Sequence, residues 1–341
     1  MPIFKLPGLV RELIVERMSF DDMFIFTLCS KRCFDTVRKI FRFYKDEYQL
    51  SVNLGGIEHA CGSLLVETPS IRQLITVSSM EKLEWAPFKK EELFPGILGG
   101  TPFMGVRENL STSTFWEDPN TGMKVLLLHI TELFNATIGV YIYPSKQFSP
   151  LPILNFINER QKTIQFAKVY MSPCDERYEA VLDCLNHVKD LEFPLDMVTC
   201  ILKYSNRKWQ HEKLKFGWAP WIKNSHLMRM NCNSLEIRSC SVQRKDLNAY
   251  LKAWIDGAVP RLEHFSLLRV RPHTWNSVFR GILHQENPDR VLMNSLNETR
   301  RPVKTPVDIY RNDGTIGTIF CSLVESQLGL RSFRFDFVVW K

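Results

Sequence analysis

The chain opens on a repeating apolar stripe. Leu6, Leu9, Val10, Leu13, Ile14 and Met18 recur at three- and four-residue steps, with Arg11, Glu12, Glu16 and Arg17 mostly opposite. That spacing predicts an amphipathic helix starting near Pro7. Proline suits a first helical turn, where its missing N–H costs nothing. Ser19 and Asp22 form an S-x-x-D capping box for a second helix, whose buried side is Phe20, Met23, Phe24 and Leu28. Asp21 and Asp22 also stand where the helix dipole favours negative charge. A third stripe of Phe34, Val37, Ile40 or Phe41, and Tyr44 restarts around Ser30. Three such short helices bury little among themselves. Ile25 and Phe26 flank Phe24, so the second helix is apolar nearly all round. Surplus apolar surface of this kind is expected to dock on a partner or on the rest of the chain.

Strand-like runs come next. "YQLSVNL" (Tyr48–Leu54), "SIRQLITV" (Ser70–Val77) and "MKVLLLHI" (Met123–Ile130) predict strands. Gly55-Gly56, Pro69, Pro87, "FPGILGGTPFMG" (Phe94–Gly105) and Pro119 predict the long loops between them. From Thr137 the texture alternates. "TIGVYIY" precedes the helical "LPILNFINER", and "TIQFAKVYM" precedes "DERYEAVLDCLNHV". "DLEFPL", "KLKFGW", "SLEIRS" and "RLEHFSL" follow. Their anchors Ile164, Leu191, Leu214, Leu235 and Leu262 stand 27, 23, 21 and 27 residues apart. This is the range of irregular leucine-rich-type units, each giving one strand and one helix; an ordinary α/β sheet is the alternative. Near the end, "VDIYRNDGTIGTIF" predicts a hairpin around Asn312-Asp313-Gly314, and "SFRFDFVVW" a half-buried closing strand. The expected class is α+β: three helices (1–45), a β-rich segment (46–135), a repeat-like α/β array (136–285), and a loop (286–306) leading to closing antiparallel strands, within 286–341.

Composition narrows the options. At 341 residues the chain is expected to hold a small module plus a larger domain, and 45% hydrophobic with 24% charged residues is a globular balance. No apolar run approaches membrane-span length. The charged residues of the first helix argue against a signal peptide. Nine scattered cysteines without a C-x-x-C pair then read as reduced thiols of the cytoplasm or nucleus. The sequons at Asn109, Asn135 and Asn297 are chance matches on that reading. Net charge is +7, but residues 201–275 hold fourteen Lys/Arg against five Asp/Glu. Trp209, Trp218, Trp221, Trp254 and Trp275 lie in the same stretch. Basic charge with aromatics fits nucleic acid or a protein-binding face equally. Core tryptophans beside solvated lysines would give the same composition.

"LPGLVRELIVERMSFDDMFIFTLCSKRC" resembles an F-box: Leu-Pro at the start, Ile14 and Met18, an acidic second-helix start, then Leu28 before Ser30-Lys31-Arg32. Asp22-Met23 replaces the family's frequent Asp-Leu. The order of F-box, irregular middle, "RNDGTIGTIF" and a Phe-rich strand ending in "VVW" is similar to nematode-type F-box proteins with an F-box-associated domain of the second type. The resemblance implies a non-catalytic substrate receptor of an SCF (cullin–RING) ubiquitin ligase. Leu6, Pro7, Leu13, Ile14, Met18, Met23 and Leu28 would face the Skp-type adaptor, and the later domain would bind an unknown protein target. Composition places target contact around Trp209, Trp218, Trp221 and Arg238.

Catalytic chemistry is not evident. Cys184 and His187 stand three apart, but two ligands make no zinc site. His59 and Cys61 have no third partner in view. Glu91-Glu92 beside Lys89-Lys90 is a solvated charged run. The glycines of "GILGG" lack the GxxxxGK[ST] pattern of a phosphate cradle, and HExxH, GxSxG, GxGxxG and EF-hand patterns are missing. No enzyme and no cofactor are expected. Two classes remain: a ligase adaptor, which is favoured, and a basic scaffold or nucleic-acid-binding protein.

Overall fold

A computed structural model describes residues 3–41, 49–57, 60–67, 72–85, 88–89, 92–108, 111–134, 138–145, 148–160, 164–171, 175–196, 207–268, 277–291, 300–325 and 331–340. The architecture mixes α-helices with an extensively paired β-sheet. The chain divides into two compact units: Met1–Ala167 with Glu179–Leu185, and Lys168–Tyr178 with Asn186–Lys341.

The first unit begins with α1 (Gly8–Glu16), α2 (Phe20–Cys29) and α3 (Lys31–Phe41). Pro7 is the N-cap of α1. Ser19 caps α2 by accepting the Asp22 N–H at 3.2 Å, as the spacing predicts; the Asp22 carboxylate accepts the Ser19 hydroxyl at 2.6 Å rather than the Ser19 N–H of a full capping box. Strands β1 (Gln49–Ile57), β2 (Ala60–Glu67) and β3 (Arg72–Ser79) form an antiparallel meander. The short α4 (Met80–Leu83) follows. Then come β4 (Leu93–Leu98), β5 (Thr101–Glu108), β6 (Ser111–Trp116), α5 (Pro119–Phe134), β7 (Ile138–Ile142) and α6 (Leu151–Arg160). The strand order is β4-β5-β6-β3-β2-β1-β7, with the β6–β3 and β1–β7 pairs parallel.

Two expectations are corrected here. Met123–Ile130 is the middle of α5, not a strand. Asp118 accepts the N–H groups of Asn120 and Thr121 at 3.1 and 3.2 Å, which caps the helix, and Pro119 fits its first turn. The run is continuously apolar because α5 is buried nearly all round, with Met123, Leu126, Leu127, Ile130, Leu133 and Phe134 in the core. Phe94–Gly105 is a hairpin, not a loop. Gly99 and Gly100, at φ of 56° and 81°, make the tight turn between β4 and β5.

Strand β8 (Phe166–Val169) and α7 (Tyr178–Cys184) include the points where the chain passes between units. The second unit contains β9 (Asp190–Asp196), β10 (Lys213–Trp218), α8 (Asn224–Leu227), β11 (Ser234–Ile237), α9 (Arg244–Ile255) and β12 (His264–Leu268). Its remaining strands are β13 (His284–Glu286), β14 (Arg300–Pro302), β15 (Val307–Tyr310), β16 (Ile316–Glu325) and β17 (Arg331–Trp340). β9 to β12 are parallel neighbours, then β12, β17 and β16 continue antiparallel. β16 is flanked by β15 and β14, and β13 pairs with β15. The 286–306 stretch is therefore partly strand; its residues 292–299 lie outside the described residues.

β10, β11 and β12 start the same way. The Lys189 carbonyl accepts the N–H groups of Glu212 and Lys213, the Glu212 carbonyl those of Asn233 and Ser234, and the Asn233 carbonyl those of Glu263 and His264. Leu191, Leu214, Leu235 and Phe265 then lie side by side in register. Leu262 is not the anchor of its strand: Phe265, three residues later, takes that place. Helix α9 covers the apolar face, with Tyr250 against Phe265 and Trp254 against Phe337, both at 4.9 Å between ring centroids.

Candidate functional site

The N-terminal helices are anchored on one side. Asp21 of α2 is buried, and its carboxylate accepts from Gln73 Nε2 at 2.8 Å and Thr112 Oγ1 at 2.5 Å. Arg107 of β5 donates to Asp22 at 2.7 Å and to Ser19 at 3.1 Å. The Ser19 hydroxyl and then the Arg107 guanidinium hold the Asp22 carboxyl below its ordinary range. Phe20 and Phe41 pack on Phe134 of α5. Met23 belongs to this anchored side, at 3% exposed, so a partner could reach it only by unpacking α2. It is corrected from contact residue to core.

The other side is open. On α1 only Val15 is buried; Leu9 is 70% and Leu13 52% exposed, and Pro7 and Val10 are exposed too. Leu6, Ile14, Met18 and Leu28 are half-buried. The apolar stripe of α1 thus points largely to solvent, contrary to the burial its periodicity would bring in an isolated domain. Leu28 also borders an apolar groove of about 750 Å³ formed with the β4–β5 hairpin, including Ile25, Phe94 and Ile97.

In the second unit the four residues singled out by composition separate. Trp209 and Trp221 are buried, each packed edge-on against Phe216, and Trp209 also against Phe193. They are core residues, and the aromatic richness of this segment is largely packing. Trp254 is buried as well, and Trp275 lies outside the described residues. Trp218 is half-buried at the C-terminal end of β10, and Arg238 is exposed just after β11. The Arg238 N–H donates to the Phe216 carbonyl at 2.9 Å, so Trp218 and Arg238 share one end of the parallel strands.

The sheet face away from α9 carries a row of charges that sequence reading missed. Glu192, Lys215 and Glu236 are direct cross-strand neighbours. Lys168 approaches Glu192 at 3.2 Å, Lys215 lies 4.0 and 3.6 Å from Glu192 and Glu236, and Arg238 lies 3.5 Å from Glu236. Every second residue of "LEF", "LKF" and "LEI" gives this row, so the signal was present once the strands were aligned.

The candidates for chemistry do not assemble. The Cys184 thiol donates to Asn155 at 3.2 Å and is shifted up by burial, which disfavours a thiolate. His187 is exposed, and His59 lies outside the described residues. Among the described residues no three His, Cys, Asp or Glu side chains could hold a metal, and no helix is long and apolar enough to cross a membrane.

A family model described as F-box associated matches residues 207–267. That segment runs from Trp209 through β10, β11 and α9 to β12, so it holds the repeating strand starts and much of the charged row. The chain matches no curated protein and no solved structure.

Proposed function

We propose that the chain is the substrate-recognition subunit of an SCF-type cullin–RING ubiquitin ligase. On this reading residues 1–45 are an F-box docking on a Skp-type adaptor, and the F-box-associated domain selects a protein target in the cytoplasm or nucleus. The observation that carries it is the asymmetry of the N-terminal helices: α2 and α3 are fixed to their own unit, while Leu9, Val10 and Leu13 of α1 stay exposed. The family match at 207–267 supports the second half, since F-box-associated domains accompany an F-box. The strand starts repeated at Lys189, Glu212 and Asn233 favour an irregular leucine-rich-repeat-like array within 136–285, over its part from 189 to 268. Residues 46–135 would be the β-rich support of the F-box, and 286–341 the closing strands. The chain itself needs no catalytic residue or cofactor. It would raise the effective concentration of target beside a charged conjugating enzyme.

The adaptor face keeps Leu6, Pro7, Leu13, Ile14, Met18 and Leu28, joined by Leu9 and Val10. The test is a binding titration of the full chain against a purified Skp-type adaptor, with Leu13→Asp as variant. Leu13 is half-exposed, so its substitution should leave stability within about 0.5 kcal/mol and weaken binding by at least about tenfold. Absence of binding by the parent chain overturns the reading.

A further inference from the structure

The positive charge of the matched segment stands at both ends of its parallel strands: Arg207, Lys208, Lys213, Arg229 and Arg261 lie near their starts, beside Glu212 and Glu263, and Lys223, Arg238, Arg244 and Lys245 lie past their ends. Residues 207–267 hold eleven Lys/Arg against five Asp/Glu, an excess of six. In mid-face the row Lys168, Glu192, Lys215, Glu236 neutralises itself. The C-terminal rim does not. There the connections leaving β10 and β11 present Lys223, Arg238, Arg244 and Lys245, all exposed. The acids beside them are Asp196, the cross-strand partner of Trp218, and Asp246, whose carboxylate accepts the Gln243 N–H at 2.8 Å. Arg238 shares Glu236 with Lys215. Among the described residues Lys223, Arg244 and Lys245 form no ion pair. Arg244 and Lys245 lie in the first turn of α9, where the helix dipole opposes cations. Helix stability therefore does not account for them.

We infer that the target segment bound at this rim is an acidic stretch of polypeptide, met by Arg238, Lys223, Arg244 and Lys245 with Trp218 as the apolar contact. The inference rests on the receptor reading and names the class of target. Charge complementarity selects an anion. The burial of Trp209, Trp221 and Trp254 selects peptide over nucleic acid, since single strands need successive exposed rings for stacking. Trp218 is one ring, and half-buried.

Fluorescence anisotropy of a labelled Glu/Asp-rich peptide against the full chain tests this, with a Gly/Ser peptide and a single-stranded RNA as competitors. The peptide should bind, and Arg238→Glu/Arg244→Glu should weaken it at least about tenfold. Raising salt from about 50 to about 300 mM should weaken it as well. Both arginines are exposed, so circular dichroism of the variant should match the parent. No peptide binding, or binding unchanged in the variant, overturns the inference. RNA binding more tightly than the peptide, with the same loss in the variant, overturns it in favour of nucleic acid. The adaptor titration is run on the same preparations. Adaptor binding without peptide binding removes the acidic target and keeps the receptor; peptide binding without adaptor binding does the reverse.

Discussion

Thr27 Oγ1 and His129 Nε2 stand 2.7 Å apart and join α2 to α5. Thr27 spends its one proton on the Phe24 carbonyl at 2.6 Å, so His129 must be the donor and its ring carries the proton on Nε2. The ring is flanked by Phe24 and Phe34. Lys31, Asp35, Arg38 and Glu132 border the adjoining surface groove. Burial pushes the imidazole down to about 4. An unfolded histidine titrates near 6.5, so between these values the unfolded chain holds a proton that the folded one refuses. The stabilising neutral form is complete above about pH 6.5 and is lost as pH falls toward 4, at about 1.4 kcal/mol per pH unit. Urea unfolding at several pH values should show this slope in the parent chain. His129→Phe, which keeps the ring packing, should lose that part of it.

Asp21 is the second anchor of α2. Replacing it by Ala leaves Gln73 and Thr112 without their shared acceptor in a buried site. A loss of about 2–3 kcal/mol is expected. Asp22→Ala, at an exposed position, should cost only about 1 kcal/mol, mostly through Arg107 and the cap. Thermal unfolding of the two variants separates them, and equal losses would contradict the geometry.

What sequence patterning could reach follows from which residues carry period. Ser19 with Asp22, and the hairpin around Asn312-Asp313-Gly314, are local signals and placed their elements correctly. The L-x-F/I pattern found β9, β10 and β11, because alternate burial on one face is written in every second residue. Leu262 misled because Phe265 could equally anchor that run, and only pairing with Leu235 decides. Met123–Ile130 misled because a helix buried all round loses its period; Asp118-Pro119 was the readable clue. For the candidate site, exposure was the missing quantity. Trp209 and Trp218 are the same residue type nine positions apart, one in the core and one at the strand end. Composition cannot separate them.

Gly217 shows how closely β10 lies against β9. A Cβ there would come within 2.4 Å of the Pro194 carbonyl oxygen, a backbone atom that cannot swing aside. Gly217→Ala should therefore cost about 2 kcal/mol or more. The strain would reach the nearby Phe193, Phe216, Trp209 and Trp221 cluster. Near-ultraviolet circular dichroism, which reads that aromatic packing, should change together with the unfolding midpoint. A variant as stable as the parent would mean that the two strands are farther apart.

Arg334 and Asp336 alternate on β17 and meet at 3.0 Å on the face away from Phe335 and Phe337. Asp336 is fully buried, and His264 also reaches its carboxylate at 3.2 Å. Attraction inside a protein has to offset the desolvation of both ions, so the net contribution of such a pair is small while the cost of breaking it is large. Asp336→Ala removes from a buried site the carboxylate that Arg334 and His264 share and should cost about 3–5 kcal/mol. Arg334→Met/Asp336→Leu removes both charges at similar volume and should fall within about 1 kcal/mol of the parent chain or exceed its stability. His264 is partly exposed, so water can replace its lost acceptor. Equilibrium unfolding of the single and the double variant decides the matter. If the double variant is as unstable as the single one, the pair contributes directed hydrogen bonds to the β12–β17 junction that apolar packing cannot replace.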